Sequence, residues 1–425
     1  MKATDPAQAL LSAWLPAALS PECPPPLEDL LLGSGDCADS PNNEEERWRS
    51  AFPRAHAQGV APLLWASLER WNLSGVLARR ASPFAAAHSA TLRQNVLHLA
   101  ELSRITGVLA ARRIVPILLK GAAFLDDLYP HPALRPMADL DLLIPFDDVA
   151  RARQALEALG YRGLRPGLAD ALLETNHEIE LARRLPDGTR MYVELHWRLL
   201  PKTSLVAGPA VEPDALWTRT RPCSDTSIAA RVLAPEDAFL FSALHLQRHA
   251  YSRAVWFVDL ALLMNKHELD WQRVVRQADA FGARGALHAA LAGTAALCGV
   301  HPPRQIERAL RPGPVRARAV SAILRWTEMF GASAIRGEHA LPPSRRYLLK
   351  LIQARDTLAA LGRIAEMIHP SEAWLRARYG LRGHRLPAGI RRRHLAAAWR
   401  AMLGLAGAAS VAKPPGAIPE TATTD

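Results

Sequence analysis

The chain has 425 residues, of which 49% are hydrophobic and 22% are charged, a balance that is typical of folded globular proteins and excludes a fibrous or wholly disordered chain. This length predicts more than one domain, because single domains cluster at about 100–200 residues. Lysine and arginine outnumber aspartate and glutamate by 52 to 41, and the net charge of +11 favours a nucleotide, RNA or an acidic membrane surface as partner. The alternative is that the charge comes from arginines spread along the whole chain and forms no binding surface.

Cysteines and terminal segments indicate the compartment. No CxxC pair occurs among the four cysteines, so neither a zinc ribbon nor a disulfide framework is expected. Residues 1–6 lack the basic and apolar segments of a secretory signal. Residues 395–411 are apolar but short, with Arg400 near the middle, which favours an amphipathic or partner-packing helix over a membrane span, with membrane-surface attachment as the alternative. We therefore predict a cytoplasmic protein without an integral membrane segment.

The first part of the chain, residues 1–110, is predicted to be a helical region. Apolar residues recur there at helical spacing, as Leu10, Leu11, Trp14 and Leu15 do. Between residues 20 and 44, Pro, Gly, Asp, Ser and Asn collect, and this predicts a mobile loop.

A change of periodicity marks residues 111–200 as a separate α/β core. Residues 114–119 form a continuous apolar run typical of a buried strand, and a helix is predicted from residue 122 to 129. Residues 138–144 predict a second strand and residues 147–159 a helix, followed by an extended segment at 161–162. Two further runs, 177–182 and 191–199, predict a hairpin, because the turn sequence Pro186-Asp187-Gly188 joins them.

Helical spacing returns after Pro235. We predict a helical domain at residues 201–340, a basic helical region at 341–412 and a disordered tail at 413–425. The fold class that follows is α+β, with a small mixed β-sheet core flanked by N-terminal and C-terminal helical regions.

Carboxylates concentrate on the predicted strands. Asp139 and Asp141 are two residues apart and therefore point to the same face, as do Glu194 and His196 on the later strand. If these strands are neighbours, Glu194 completes a carboxylate triad, a donor set that suits Mg²⁺ or Mn²⁺. Lys120 and Gly121 lie at a strand-to-helix turn, where backbone N–H groups and an ammonium group can hold a triphosphate.

Eight short segments form a distinctive series along the chain. They are ILLKGAA at 117–123, YP at 129–130, LRPMADLDLLIP at 134–145, LEALGY at 156–161, VELHWR at 193–198, APED at 234–237, HLQRH at 245–249 and WFVDL at 256–260. Together these segments resemble an uncharacterised bacterial nucleotidyltransferase family of the DNA polymerase beta superfamily. The resemblance extends over residues 50–300, and its most specific part is residues 135–141.

This resemblance implies metal-dependent transfer of a nucleoside monophosphate from a nucleoside triphosphate to a hydroxyl acceptor. It implies that Asp139, Asp141 and Glu194 bind the metals and that Lys120, Gly121 and Ala122 receive the triphosphate. The chain departs from the superfamily pattern twice, since Ala122 stands where a serine is usual and Glu194 where an aspartate is commoner. Arg135 has two open roles, a phosphate contact or an ion pair that holds the loop before Asp139.

The acceptor is left open between a small molecule, a protein and RNA. A toxin-like transferase acting on RNA is one alternative, and it predicts that charge reversal of Arg391, Arg392 and Arg393 impairs transfer. A catalytically degenerate nucleotide-binding scaffold of a polysaccharide or peptide-modification pathway is another, which the Gly121-Ala122 pair motivates. His245 and His249 have the spacing of a zinc pair, but we favour a core or acceptor-binding cluster, since no Glu follows His245 as in HExxH.

Overall fold

The structure is a computed structural model, and it confirms the predicted α+β class, with helices on both sides of a mixed seven-stranded sheet in the described part of the chain. It describes residues 5–20, 22, 27–28, 31, 41–164, 177–200, 213–332, 341–379, 381 and 386–403. The predicted disordered tail at 413–425 lies outside these residues. The predicted domain boundaries stay predictions.

The N-terminal region is helical, as predicted. Asp5 caps the first helix, because its Oδ1 accepts hydrogen bonds from the backbone N–H groups of Ala7 and Gln8 at 3.0 and 3.3 Å. Much of the predicted loop at 20–44 lies outside the described residues, and its last residues belong to a helix that begins at Pro41. The helices are α1 (Pro6–Ala18), α2 (Pro41–Ala57), α3 (Ala61–Arg70) and α4 (Ser82–Ala110).

The sheet lies against α4 and two shorter helices, α5 (Lys120–Asp127) and α6 (Val149–Ala158). Its spatial order is β3-β4-β5-β2-β1-β7-β6. The strands are β1 (Ile117–Leu118), β2 (Leu140–Leu143), β3 (Arg162–Gly163), β4 (Glu178–Arg184), β5 (Arg190–His196), β6 (Arg221–Pro222) and β7 (Arg231–Val232).

Local sequence signals account for most of this sheet. β4 and β5 pair antiparallel around the Pro186-Asp187-Gly188 turn, which confirms the predicted hairpin. β2 lies between β1 and β5 and is buried along its whole length, as its apolar composition predicts. The first predicted strand, 114–119, pairs only through two residues, Ile117 and Leu118. β6 and β7 extend the sheet beyond residue 200, because β7 pairs in parallel with β1.

The remainder of the described chain is helical, and its central helices pack with α1–α3 into one large apolar core. No described helix combines the length and hydropathy that crossing a bilayer requires. The helices are α7 (Pro213–Trp217), α8 (Pro235–Arg248), α9 (Ala254–Lys266), α10 (Trp271–Ala280), α11 (Arg284–Cys298), α12 (Arg304–Leu310), α13 (Pro314–Ile323), α14 (Pro343–Gln353), α15 (Thr357–Ile368), α16 (Glu372–Tyr379) and α17 (Ile390–Leu403).

Candidate active site

Two carboxylates meet at the centre of the sheet. β2 and β5 are parallel neighbours, and their register pairs Asp141 with Glu194. The condition on which the predicted triad depended, that these strands be adjacent, is therefore met. Asp139 lies just before β2 rather than within it and is half-buried, whereas Asp141 is fully buried.

Lys120 places its ammonium group between these carboxylates. Its Nζ donates to Asp141 Oδ1 at 2.6 Å and lies 3.3 Å from Glu194 Oε2. Burial lowers the pKa of Lys120, but the charges of Asp141 and Glu194 outweigh burial and hold this pKa above its usual value. The residue begins α5 with a left-handed backbone, φ 47°, which is unusual for a side chain of this size. A cation is therefore accommodated where these acids converge.

His196 brings its imidazole to the same face of β5 as Glu194. Its Nε2 lies 3.0 Å from Asp141 Oδ1 and 3.4 Å from Glu194 Oε2. Burial lowers the pKa of His196, but hydrogen bonds to Asp141 and Glu194 outweigh burial and raise it to about 9. Burial raises the pKa of Glu194, yet the hydrogen bond with His196 and the charge of Lys120 hold that pKa well below its usual value. Glu194 is therefore a carboxylate at neutral pH.

Glu178 and Arg248 belong to the same network, although sequence reasoning did not single them out. Glu178 on β4 stands opposite His196, with Oε2 3.3 Å from His196 Nδ1. Arg248, at the end of α8, donates to Glu178 Oε1 at 3.0 Å. The hairpin turn carried the signal for Glu178, because it sets the register that pairs 178 with 196. No local signal pointed to Arg248.

Three overlapping groups of described acidic and histidine side chains could hold a metal ion, since their ligand atoms lie within 4.8 Å of one another. They are Asp141/Glu194/His196, His177/Glu178/His196 and Glu178/Glu180/Glu194. Asp139 belongs to none of these three, but burial and the negative charge of Asp141 raise its pKa to about 7. Asp139 is therefore close enough to Asp141 for their negative charges to repel each other.

The turn after β1 leads into α5, which begins at Lys120 beside the carboxylates. Leu119 precedes α5 without a side-chain cap, so the first N–H groups of the helix have no capping acceptor. A Cβ at Gly121 would lie 2.8 Å from Arg135 Nη1 and 3.0 Å from Met137 Cγ, which explains glycine at this position. Ala122 packs in the apolar core beneath the sheet, so a main-chain contact is what it can offer a phosphate.

Arg135 forms the ion pair that was one of its two predicted roles. Its Nε and Nη2 donate to the two carboxylate oxygens of Asp259 on α9, at 2.8 and 2.7 Å. The Tyr129 hydroxyl donates to Asp259 Oδ1 at 2.7 Å. Both charged side chains are buried, with 6% and 2% exposure. The ion pair connects the segment before Asp139 to α9. A phosphate contact by Arg135 stays a prediction.

The model of a family described as uncharacterised nucleotidyltransferase matches residues 44–299, more than half of the chain. The chain belongs to this nucleotidyltransferase family. Membership supports nucleotidyl transfer as the general activity and a nucleotide as substrate. A search of curated proteins finds no match. The matched residues contain all the site residues predicted from the sequence, and they end before α12.

The helical side of this nucleotidyltransferase contributes positive charge and neutral histidines. His245 and His249 on α8 pack against Trp256, with ring centroids 4.7 and 5.1 Å from it. Burial and the charge of Arg248 lower the pKa of His249 to about 3, and burial lowers that of His245. Among the described residues, neither belongs to a group that could hold a metal ion, and their role as a core or acceptor-binding cluster stays a prediction.

Lys350 on α14 extends this basic side. Burial and the charges of Arg346 and Arg248 lower the pKa of Lys350 to about 8. A hydrogen bond of 2.9 Å from Gln247 Nε2 to Gln353 Oε1 joins α8 to α14 beside these charges. On their helical side, the carboxylates of the sheet therefore face the positive charge of Arg248, and Lys350 lies within electrostatic range of Arg248.

Proposed function

We propose that the protein is a metal-dependent nucleotidyltransferase that transfers a nucleoside monophosphate from a nucleoside triphosphate to a hydroxyl acceptor. The observation that carries this proposal is the convergence of Asp141 and Glu194 from parallel strands, with Asp139 beside them and Lys120 at the helix start. Family membership supports the reaction class. A bacterial origin and the wider DNA polymerase beta superfamily remain proposals from the sequence resemblance.

Asp139, Asp141 and Glu194 would hold Mg²⁺ or Mn²⁺, because these ions prefer carboxylate oxygens. A bound divalent ion would neutralise developing phosphate charge and make an acceptor hydroxyl easier to deprotonate. Glu194, held as a carboxylate, would also accept a hydrogen bond from that hydroxyl and orient it.

The triphosphate would lie along the start of α5. The backbone N–H groups at Gly121 and Ala122 would donate to phosphate oxygens, and Lys120 would supply a charge. Arg248 and Lys350 offer further positive charge from the helical side, and a phosphate would favour the protonated form of Lys350.

A second candidate, a nucleotide-binding scaffold without transfer, is favoured by the internal counter-charges. Clustered carboxylates normally repel one another and call for a metal ion. Here the ammonium group of Lys120 and the raised pKa of His196 already balance Asp141 and Glu194. Retention of the acids is therefore compatible with a chain that binds a nucleotide and does no chemistry.

Transfer of label from each of the four α-labelled nucleoside triphosphates into RNA, protein and small-molecule fractions separates the two. The test variant is Asp139→Asn/Asp141→Asn. A matched control is Asp147→Asn/Asp148→Asn, which removes the same charge from the next turn of chain. Label that requires the first pair and survives the control supports the enzyme and identifies its acceptor class. Triphosphate binding without label in any fraction would contradict transfer and support the scaffold.

A further inference from the structure

A cavity of about 520 Å³ lies in the helical part, and it shares the lining residue Gln353 with the helical side of the site described above. The start of α11, the turn between α12 and α13, and the end of α14 form its walls. This volume is within the range of pockets that hold small molecules, about 300–1,000 Å³.

Positive charge predominates around the cavity. Its lining contains four arginines and a single acid, Asp279. Arg284 donates to both oxygens of Asp279 at 2.8 and 2.9 Å, so this acid is already paired. Arg311 and Arg316 form no ion pair with any carboxylate in the part of the chain that the structure describes. Their charges therefore remain available to an anion.

The cavity is bounded by close packing. A Cβ at Gly285 would lie 2.6 Å from the backbone oxygen of Gln353, so α11 and α14 approach each other at the distance that only glycine permits. α13, which is 10 residues long, begins at this cavity after Gly313, which supplies no side-chain cap. Its first N–H groups therefore add positive potential to that of Arg311 and Arg316.

Apolar side chains occupy the remaining lining. Leu310, Val320 and Ile352 lie among the charged groups. A ligand that fits both kinds of surface carries a phosphate at one end and a less polar ring or chain at the other. RNA is a poorer fit, since it calls for an extended basic groove that follows its backbone rather than a concave pocket.

We propose that this cavity is a second binding site, for a phosphorylated small molecule of about mononucleotide size, in which Arg311 and Arg316 bind the phosphate. The site does not depend on the proposed transfer reaction, because none of its lining residues takes part in the carboxylate network. Both arginines also lie beyond the matched family segment, which ends at residue 299.

The test is calorimetric titration of the full chain, in EDTA, with inorganic phosphate and with adenosine 5′-monophosphate. The variant Arg311→Glu/Arg316→Glu reverses the two charges at the cavity. The control Arg308→Glu/Arg318→Glu makes the same change close by, on α12 and α13, at exposed residues outside the lining. All four arginines are exposed, so circular dichroism should show unchanged folding.

We expect the monophosphate to bind more tightly than phosphate, and its Kd to rise at least ~10-fold in the cavity variant while the control stays within about 2-fold. Equal affinities in the wild type and both variants would overturn the proposal, as would failure of both probes to bind at about 10 mM. Equal affinity for the two probes would refute the apolar part of the site. Binding of an RNA oligonucleotide that both variants weaken equally, without monophosphate binding, would point to a diffuse basic surface instead.

Discussion

Removal of one partner of the buried ion pair between Arg135 and Asp259 should be among the most destabilising single substitutions near the site. The two hydrogen bonds of the pair, 2.8 and 2.7 Å long, join side chains that are 6% and 2% exposed. Asp259→Asn leaves the guanidinium group buried beside Phe124 without a compensating charge. Removal of one partner of such a pair costs about 3–5 kcal/mol of unfolding free energy.

A surface pair on α6 supplies the control. Arg153 Nε lies 2.8 Å from Glu157 Oε1, but both side chains are 36% exposed. Arg153→Gln should therefore cost about 0.5 kcal/mol or less, because water screens the pair. Arg135→Met/Asp259→Leu should lose less than the sum of the single variants, since it leaves no unpaired charge.

Urea unfolding followed by tryptophan fluorescence measures these differences. A loss for Asp259→Asn no larger than that of Arg153→Gln would refute the argument that this pair clamps the segment before Asp139. Transfer assays at a temperature where all variants are folded then separate the two roles of Arg135. If Arg135 acts only through the pair, Arg135→Met and Asp259→Asn should raise KM for the triphosphate equally. A larger increase for Arg135→Met would indicate a phosphate contact.

Three further predictions concern Asp139 and the two basic residues, Lys120 and His196, that contact the carboxylates. Asp139→Asn should abolish transfer, yet it should stabilise the metal-free protein at pH 8 by roughly 1–3 kcal/mol. The pKa of Asp139 in the folded state is about 7, above the ordinary value for an aspartate, so keeping this side chain ionised at pH 8 costs folding free energy that asparagine does not lose. Urea unfolding in EDTA should show no such gain near pH 3, and a loss at pH 8 would contradict the argument. Lys120→Met should lower transfer but tighten Mn²⁺ binding in the absence of nucleotide by about 10-fold, because the Lys120 ammonium group competes with the metal ion for Asp141 and Glu194. An unchanged Mn²⁺ affinity, measured by calorimetry, would contradict this placement of Lys120. His196→Asn should remove stabilisation that is fully present below pH 6.5 and lost as pH rises through about 9, because the folded-state pKa is raised. The difference in unfolding free energy from wild type, in EDTA, should therefore shrink between pH 6 and pH 10, and a constant difference would show that no titration of His196 is involved.

Local sequence pattern was sufficient for the elements of the site. The apolar run of β2, the alternation in β5 and the Pro186-Asp187-Gly188 turn each reflect interactions between residues close in the chain, which is why they predict the strands and the hairpin. The same two-residue period put Glu194 and His196 on one face of β5, whereas Asp139 lies before β2, so a shared strand face for Asp139 and Asp141 stays a prediction.

Tertiary structure decided how these elements meet. The neighbouring placement of β2 and β5 pairs Asp141 with Glu194, and the turn after β1 brings Lys120 onto both. Arg135 forms its ion pair with Asp259, which lies 124 residues further along the chain on α9. The apolar spacing of α9 predicts a helix but does not predict that this helix contacts the segment before β2. Such contacts depend on which faces are buried together, and burial is a property of the packed molecule because it is set by all the elements at once.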